Sequence, residues 1–182
     1  GWEGNELEYG PGFFVPYFEG ETETDWEETV RTFAKLLRGQ PFSGTWILEM
    51  GRFLAAPCGY YLTRIIDQKR NGGQNYAIVD GGIHHLNYYG QTMAMKIPHH
   101  RFFPKKDGEE KRWTICGSLC TAGDVLVKNL PLCGADIGDL LVFERVGAYS
   151  VTEGIYLFLS RKLPLVLVYS GSEGLRVARG AW

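Results

Sequence analysis

Between residues 60 and 79 apolar and polar side chains alternate along the chain. Tyr61, Thr63 and Ile65 fall on one face, and Leu62, Arg64 and Ile66 on the other. Period-two alternation of this kind predicts a strand with one face buried. Asn71-Gly72 supplies a hairpin turn, and Tyr76-Ala77-Ile78-Val79 is the returning partner. Further strands are expected at 113–117, 124–128, 139–144, 155–159 and 165–169, with Pro, Gly and Asp punctuating between them. Short strands at this spacing predict a β-barrel or sandwich.

Upstream the period becomes helical. Trp26, Val30, Phe33, Ala34 and Leu37 share one face, Thr24 is the expected N-cap with Glu27 completing a capping box, and Gly39 and Pro41 are stop signals. Thr45-Trp46-Ile47-Leu48 then fits a buried strand. Helix followed by strand is half of an α/β unit, too little to cover both faces of a parallel sheet. The change of pattern near residue 55 separates this piece from a β region able to bury its own core.

Composition adds limits. The 182 residues are 45% apolar and 22% charged, which suits a chain that buries a core. A formal net charge of -2 with interspersed signs is not the footprint of a nucleic-acid binder. No apolar run is long enough to span a bilayer, and Gly1-Trp2-Glu3-Gly4 does not read as a signal peptide. A cytoplasmic location is therefore expected. Cys58, Cys116, Cys120 and Cys133 are expected to be free thiols, and neither they nor the His84-His85 and His99-His100 pairs have the spacing of a metal site.

Candidate chemistry gathers at turns. In Ile115-Cys116-Gly117-Ser118-Leu119-Cys120-Thr121 an apolar run stops at a glycine and presents a thiol beside a hydroxyl. Residues at strand ends are where a rigid scaffold holds reactive groups. Tyr9-Gly10-Pro11-Gly12-Phe13 is a glycine-rich turn whose N–H groups can approach a phosphate, though the same residues also suit a plain structural turn. Glu49, taken alone, also reads as an ordinary strand-end carboxylate.

Six motifs in order carry a family resemblance: Gly10-Pro11-Gly12-Phe13, Glu49-Met50-Gly51-Arg52, Val79-Asp80-Gly81-Gly82, Cys116-Gly117-Ser118-Leu119-Cys120, Gly138-Asp139 and Gly147-Ala148-Tyr149. Together they resemble the fold-type III pyridoxal-phosphate decarboxylases, the group of diaminopimelate and ornithine decarboxylases. The resemblance implies a mainly β chain, with a C-terminal β-barrel or sandwich domain at 56–182. Before it, residues 1–55 would be the last α/β elements of a truncated TIM-like barrel that carries the cofactor. The family's cofactor-bearing lysine has no counterpart here, so the chain is expected to be part of a longer enzyme and inactive alone.

Roles implied by the resemblance follow the motifs. Gly10, Gly12 and Gly51 would offer N–H groups to the cofactor phosphate, and Tyr149 its hydroxyl. Glu49 would pair with the pyridine nitrogen and keep it protonated. Arg52 would hold the phosphate or a substrate carboxylate. Cys120 would return a proton to Cα after carbon dioxide leaves, reaching with Thr121 into the active site of a partner in a homodimer.

Two departures concern the amino-acid substrate. Where relatives follow the cysteine with an acid that binds a distal amino group, Thr121 is neutral. Where diaminopimelate decarboxylases place carboxylate-binding groups after Gly82, this chain has Ile83-His84-His85-Leu86-Asn87-Tyr88-Tyr89. Losing one charge-assisted anchor costs roughly 1.5–3 kcal/mol, so a related amino acid, carried on another molecule, suits the site better than free diaminopimelate. Two other readings stay open: a non-catalytic, partner-binding relative of these decarboxylases, and an alanine-racemase-like enzyme with the same two-domain plan.

Overall fold

A computed structural model describes residues 4–88 and 94–180. Tyr89, the last of the residues compared after Gly82, and Gly1–Glu3 of the amino terminus lie outside the described residues.

Glu6–Tyr9 (β1) and Thr45–Leu48 (β2) pair in parallel, with Trp26–Arg38 (α1) as the crossover between them. The helix starts one residue later than its capping-box pattern predicts. Asp25, not Thr24, is the N-cap and accepts from the Glu28 N–H at 3.0 Å. A carboxylate is the stronger acceptor there, and Glu27 is engaged elsewhere, pairing with Arg31 one turn on at 2.7 Å. The apolar face of α1 is only half-covered: Phe33 stacks on Tyr9 at 5.6 Å and meets the edge of Phe13 at 5.7 Å, while Trp26 stays exposed. β2 is likewise not a buried strand. Its Thr45 and Ile47 face outward, because the two-stranded sheet is covered on one side only.

Residues 60–144 build one curled sheet of six strands: Tyr60–Asn71 (β3), Gln74–Val79 (β4), His100–Phe103 (β5), Lys111–Cys116 (β6), Val125–Leu132 (β7) and Leu140–Glu144 (β8), in the order β5-β8-β3-β4-β6-β7. All neighbours are antiparallel except β4 and β6. The alternation in β3 sends Tyr61, Thr63 and Ile65 inward. They join Ala77, Val79, Ile115, Val127, Leu130, Leu141 and Phe143 in a core that wraps around the concave side. Register shifts in β3–β4 and β6–β7 increase the local twist and help the sheet curl. Between Gly51–Ala55 (α2) and β3, a single 3₁₀ turn at Ala56–Cys58 makes the join.

The β3–β4 turn sits one residue beyond its predicted place. Gly72 and Gly73 form it with φ of 55° and 80°, the left-handed pair that a two-residue hairpin favours. The expected strand at 155–159 is absent; turns and a 3₁₀ segment at Phe158–Ser160 replace it, with Leu159 and Ser160 at positive φ. An apolar run forms a strand only beside an available edge, and here the run packs instead through Gly154 onto the His84 carbonyl, 2.8 Å from where a Cβ would stand. Val166–Ser170 (β9) forms as expected and pairs with an unanticipated Gly174–Arg179 (β10).

Candidate functional site

The glycine turn, the end of β2 and the Tyr149 segment surround one cavity of about 560 Å³. Its walls include Gly10, Gly12, Glu49, Gly51, Arg52 and Tyr149, so all six residues assigned to cofactor binding by resemblance meet there.

Local geometry explains the meeting. β1 and β2 run in parallel and end side by side, and the Glu49 N–H donates to the Tyr9 carbonyl at 3.1 Å. This fixes Glu49 beside the glycine turn. A Cβ on Gly10 would lie 4.0 Å from Glu49 Oε2, and Gly12 takes φ of 66°. One residue after Met50, Gly51 opens the short helix α2; a Cβ on it would stand 3.4 Å from the Tyr149 hydroxyl. Backbone is thus bare where the Tyr149 hydroxyl points.

Arg52 organises the polar contacts around Tyr149. Its guanidinium lies 4.5 Å from the Tyr149 ring centroid, donates to the Tyr17 hydroxyl at 3.1 Å and stands 3.6 Å from a Glu153 carboxylate oxygen. Tyr149 holds φ of 64°, a conformation uncommon for a side chain of its size. At the rim, Lys96 pairs with Glu21 at 2.9 Å. Burial alone would raise the Glu21 pKa, but hydrogen bonds from Lys96 and the Phe18 N–H outweigh it and hold the carboxyl below the ordinary range. Beneath Glu49, Glu8 shares a hydrogen bond with it, and that bond together with the like charge raises the Glu8 pKa.

The donor set matches a phosphorylated pyridine. Bare glycine backbone, a guanidinium and a phenol hydroxyl suit a phosphate, and the Glu49 carboxylate suits a protonated ring nitrogen. Tyr17, Glu153 and Lys96 were not anticipated. A tyrosine 35 residues from Arg52 carries no local signal, whereas Glu153, four residues beyond Tyr149, follows a spacing that could have found it.

Cys120 and Thr121 lie apart from this cavity, on the loop joining β6 to β7. Both are exposed. Asp124, 2% exposed, shapes the loop: its carboxylate oxygens accept from the Ile83 N–H at 2.8 Å and the Leu119 N–H at 2.7 Å. Gly82 and Gly117 make room, since a Cβ on either would come within 2.6 Å and 2.2 Å of that carboxylate. Thr121 Oγ1 accepts from the Gly123 N–H at 3.3 Å. The neighbouring Cys116 thiol is pushed up by burial and then by the Asp124 charge.

Asp80 accepts from Thr63 at 2.6 Å and from the Arg64 N–H at 2.9 Å. His85 lies 3.0 Å from the Tyr61 hydroxyl and 2.7 Å from the Lys162 carbonyl. Because the carbonyl only accepts, Nε2 carries the proton and Nδ1 receives the one from Tyr61. His84, 1% exposed, has no hydrogen-bond partner for Nδ1 among the described residues. Among the described residues no group of three or more His, Cys, Asp or Glu side chains is arranged to hold a metal, and no helix is long and apolar enough to cross a membrane.

Residues 29–147 match the family described as pyridoxal-dependent decarboxylase, C-terminal sheet domain. The chain is 32% identical over 96% of its length to an L-glutamyl-[BtrI acyl-carrier protein] decarboxylase of Niallia circulans, covering 43% of that protein. It is 29% identical over 87% of its length to the 2-[(L-alanin-3-ylcarbamoyl)methyl]-2-hydroxybutanedioate decarboxylase of Staphylococcus aureus, covering 42% of it. The diaminopimelate decarboxylase of M. jannaschii, crystallised with L-lysine, shares the fold with a TM-score of 0.81 at 22% identity, over 97% of this chain and 40% of that one. The chain therefore spans less than half the length of these relatives.

Proposed function

The chain belongs to the pyridoxal-dependent decarboxylases, of which it carries the C-terminal sheet domain, and from that premise we propose that it is the C-terminal part of an amino-acid decarboxylase. The supporting observation is the convergence of Gly10, Gly12, Glu49, Gly51, Arg52 and Tyr149 on one cavity. On this reading residues 1–55 finish a cofactor-bearing barrel and residues 56–182 form the sheet domain. The cofactor-bearing lysine is then supplied by sequence outside these 182 residues, and the chain alone is inactive.

When bound, pyridoxal phosphate supplies an electron sink for the pair left at Cα as carbon dioxide departs. This chain's residues do the rest. The glycine N–H groups, Arg52 and the Tyr149 hydroxyl hold the phosphate, and Glu49 keeps the ring nitrogen protonated. Cys120 delivers a proton to Cα. Because the Cys120 loop does not line the cavity of its own chain, the site is completed across a homodimer. Exposed Leu157, Tyr169, Leu175 and Val177, at 84%, 74%, 65% and 63%, offer apolar surface to a second copy.

The first relative's name describes a glutamyl group carried on a protein, and the second's an alanin-3-yl group acylated through nitrogen, with two carboxylates in its hydroxybutanedioate portion. Neutral Thr121 agrees with such a substrate. We infer an amino acid that presents no free distal ammonium. The test is carbon dioxide release by the full-length, cofactor-loaded protein. Cys120→Ala should lower kcat by about 10²–10⁴-fold, the usual worth of a positioned proton donor, and unchanged turnover would remove Cys120 from the reaction.

A further inference from the structure

The loop that bears Cys120 is contacted by a cation from another segment that none of the roles above uses. Arg161 lies on the exposed segment that follows the Phe158–Ser160 turn, and its Nη2 donates to Ser118 Oγ at 2.6 Å. Ser118 Oγ in turn donates to the Asp80 carbonyl at 3.1 Å. One residue on, the Lys162 carbonyl accepts from His85 Nε2 at 2.7 Å, and His85 Nδ1 is held by the Tyr61 hydroxyl at 3.0 Å. The segment is thus latched at two consecutive residues, which holds a flexible guanidinium over Ser118, two positions before Cys120.

The surrounding charges leave that guanidinium available. Asp124 is buried, with both carboxylate oxygens taken by the Ile83 and Leu119 N–H groups. Asp80 turns its carboxylate toward β3, where Thr63 and the Arg64 N–H engage it. Among the described residues no carboxylate lies within ion-pair distance of Arg161. Its one described hydrogen-bond partner is a neutral hydroxyl. A planar, permanently charged fork held by one neutral acceptor has further donors free, and these match the two oxygens of a carboxylate.

We infer that Arg161 is a specificity residue that receives a carboxylate on the distal end of the substrate beside Cys120. The assignment rests on the decarboxylase reading. It narrows the substrate class to α-amino acids that end in an anion rather than an ammonium. Ser118 then acts as a positioning residue that aims the guanidinium.

The test uses the full-length protein loaded with pyridoxal phosphate and three β-amides of L-diaminopropionate: the succinyl, butyryl and β-alanyl derivatives. They end in a carboxylate, a methyl group and an ammonium at matched length. Carbon dioxide release gives kcat/KM for each, and perturbation of the cofactor's absorbance gives relative binding where turnover is slow. The expected preference for succinyl over butyryl is about tenfold to a hundredfold, with β-alanyl the poorest. Arg161→Met should abolish this preference by raising KM for the succinyl amide more than for the butyryl amide, and Arg161→Lys should keep part of it. An equal preference in Arg161→Met, or a wild-type preference for β-alanyl, overturns the assignment alone. Failure of the full-length protein to retain cofactor overturns the decarboxylase reading and this inference with it.

Discussion

Replacing Asp124 by Asn tests the architecture of the Cys120 loop with almost no change of shape. The Asp124 carboxylate is buried and accepts two backbone N–H bonds, from Ile83 at 2.8 Å and Leu119 at 2.7 Å. Hydrogen bonds to a charged group contribute about 1.5–3 kcal/mol each. An Asn keeps one acceptor oxygen but turns an NH₂ toward the other N–H, so one bond is lost and two donors face each other in a buried site. The expected cost of Asp124→Asn is about 2–4 kcal/mol. For a chain of this size it corresponds to a Tm lower by roughly 5–15 °C. Urea denaturation followed by far-UV circular dichroism reads the difference. An Asn variant within about 0.5 kcal/mol of the parent, the range of ordinary surface substitutions, would refute the reasoning.

Two further predictions concern other sites. Burial, with help from His85 and Arg161, holds the His84 pKa down at about 4, against an ordinary 6.5. The unfolded chain therefore takes up a proton between these values that the folded chain refuses; stability is full above pH 6.5 and falls as pH drops through the window, by about 3 kcal/mol at pH 4. His84→Leu should flatten that slope in denaturation curves recorded between pH 7 and pH 4, and an unchanged slope would assign it to other groups. At α1, Asp25→Ala should cost about 1 kcal/mol while Thr24→Ala costs far less; equal costs would return the cap to Thr24.

What the sequence reveals depends on whether the cause is local. The alternation of Tyr61, Thr63 and Ile65 is legible because one face of β3 is core along that stretch. The glycine turn at 10–12 and Gly51 at the start of α2 are legible because a missing side chain next to a polar group is a local signal. β5 and β10 are not legible: each is short, and each becomes a strand only because an edge of β8 or β9 lies beside it. The run 155–159 misleads for the converse reason, being apolar without an edge to join; Leu157 in it is 84% exposed. Thr24 and Asp25 show a finer limit, since both are good caps and one hydrogen bond decides between them. Within the site, Tyr17 reaches Arg52 only through tertiary packing, and the separation of the Cys120 loop from the cavity has no trace in residue order.

The central claim is that the cavity bounded by Gly10, Glu49, Arg52 and Tyr149 holds pyridoxal phosphate, and titration of the cofactor tests it most directly. Full-length protein, wild type and Arg52→Met, is titrated with pyridoxal phosphate and with pyridoxal, which lacks the phosphate, and binding is followed by cofactor absorbance. Arg52→Met should weaken pyridoxal phosphate by about tenfold to a hundredfold and leave pyridoxal nearly unchanged. Equal affinity of both proteins for pyridoxal phosphate, or no binding by the wild type, would contradict the account.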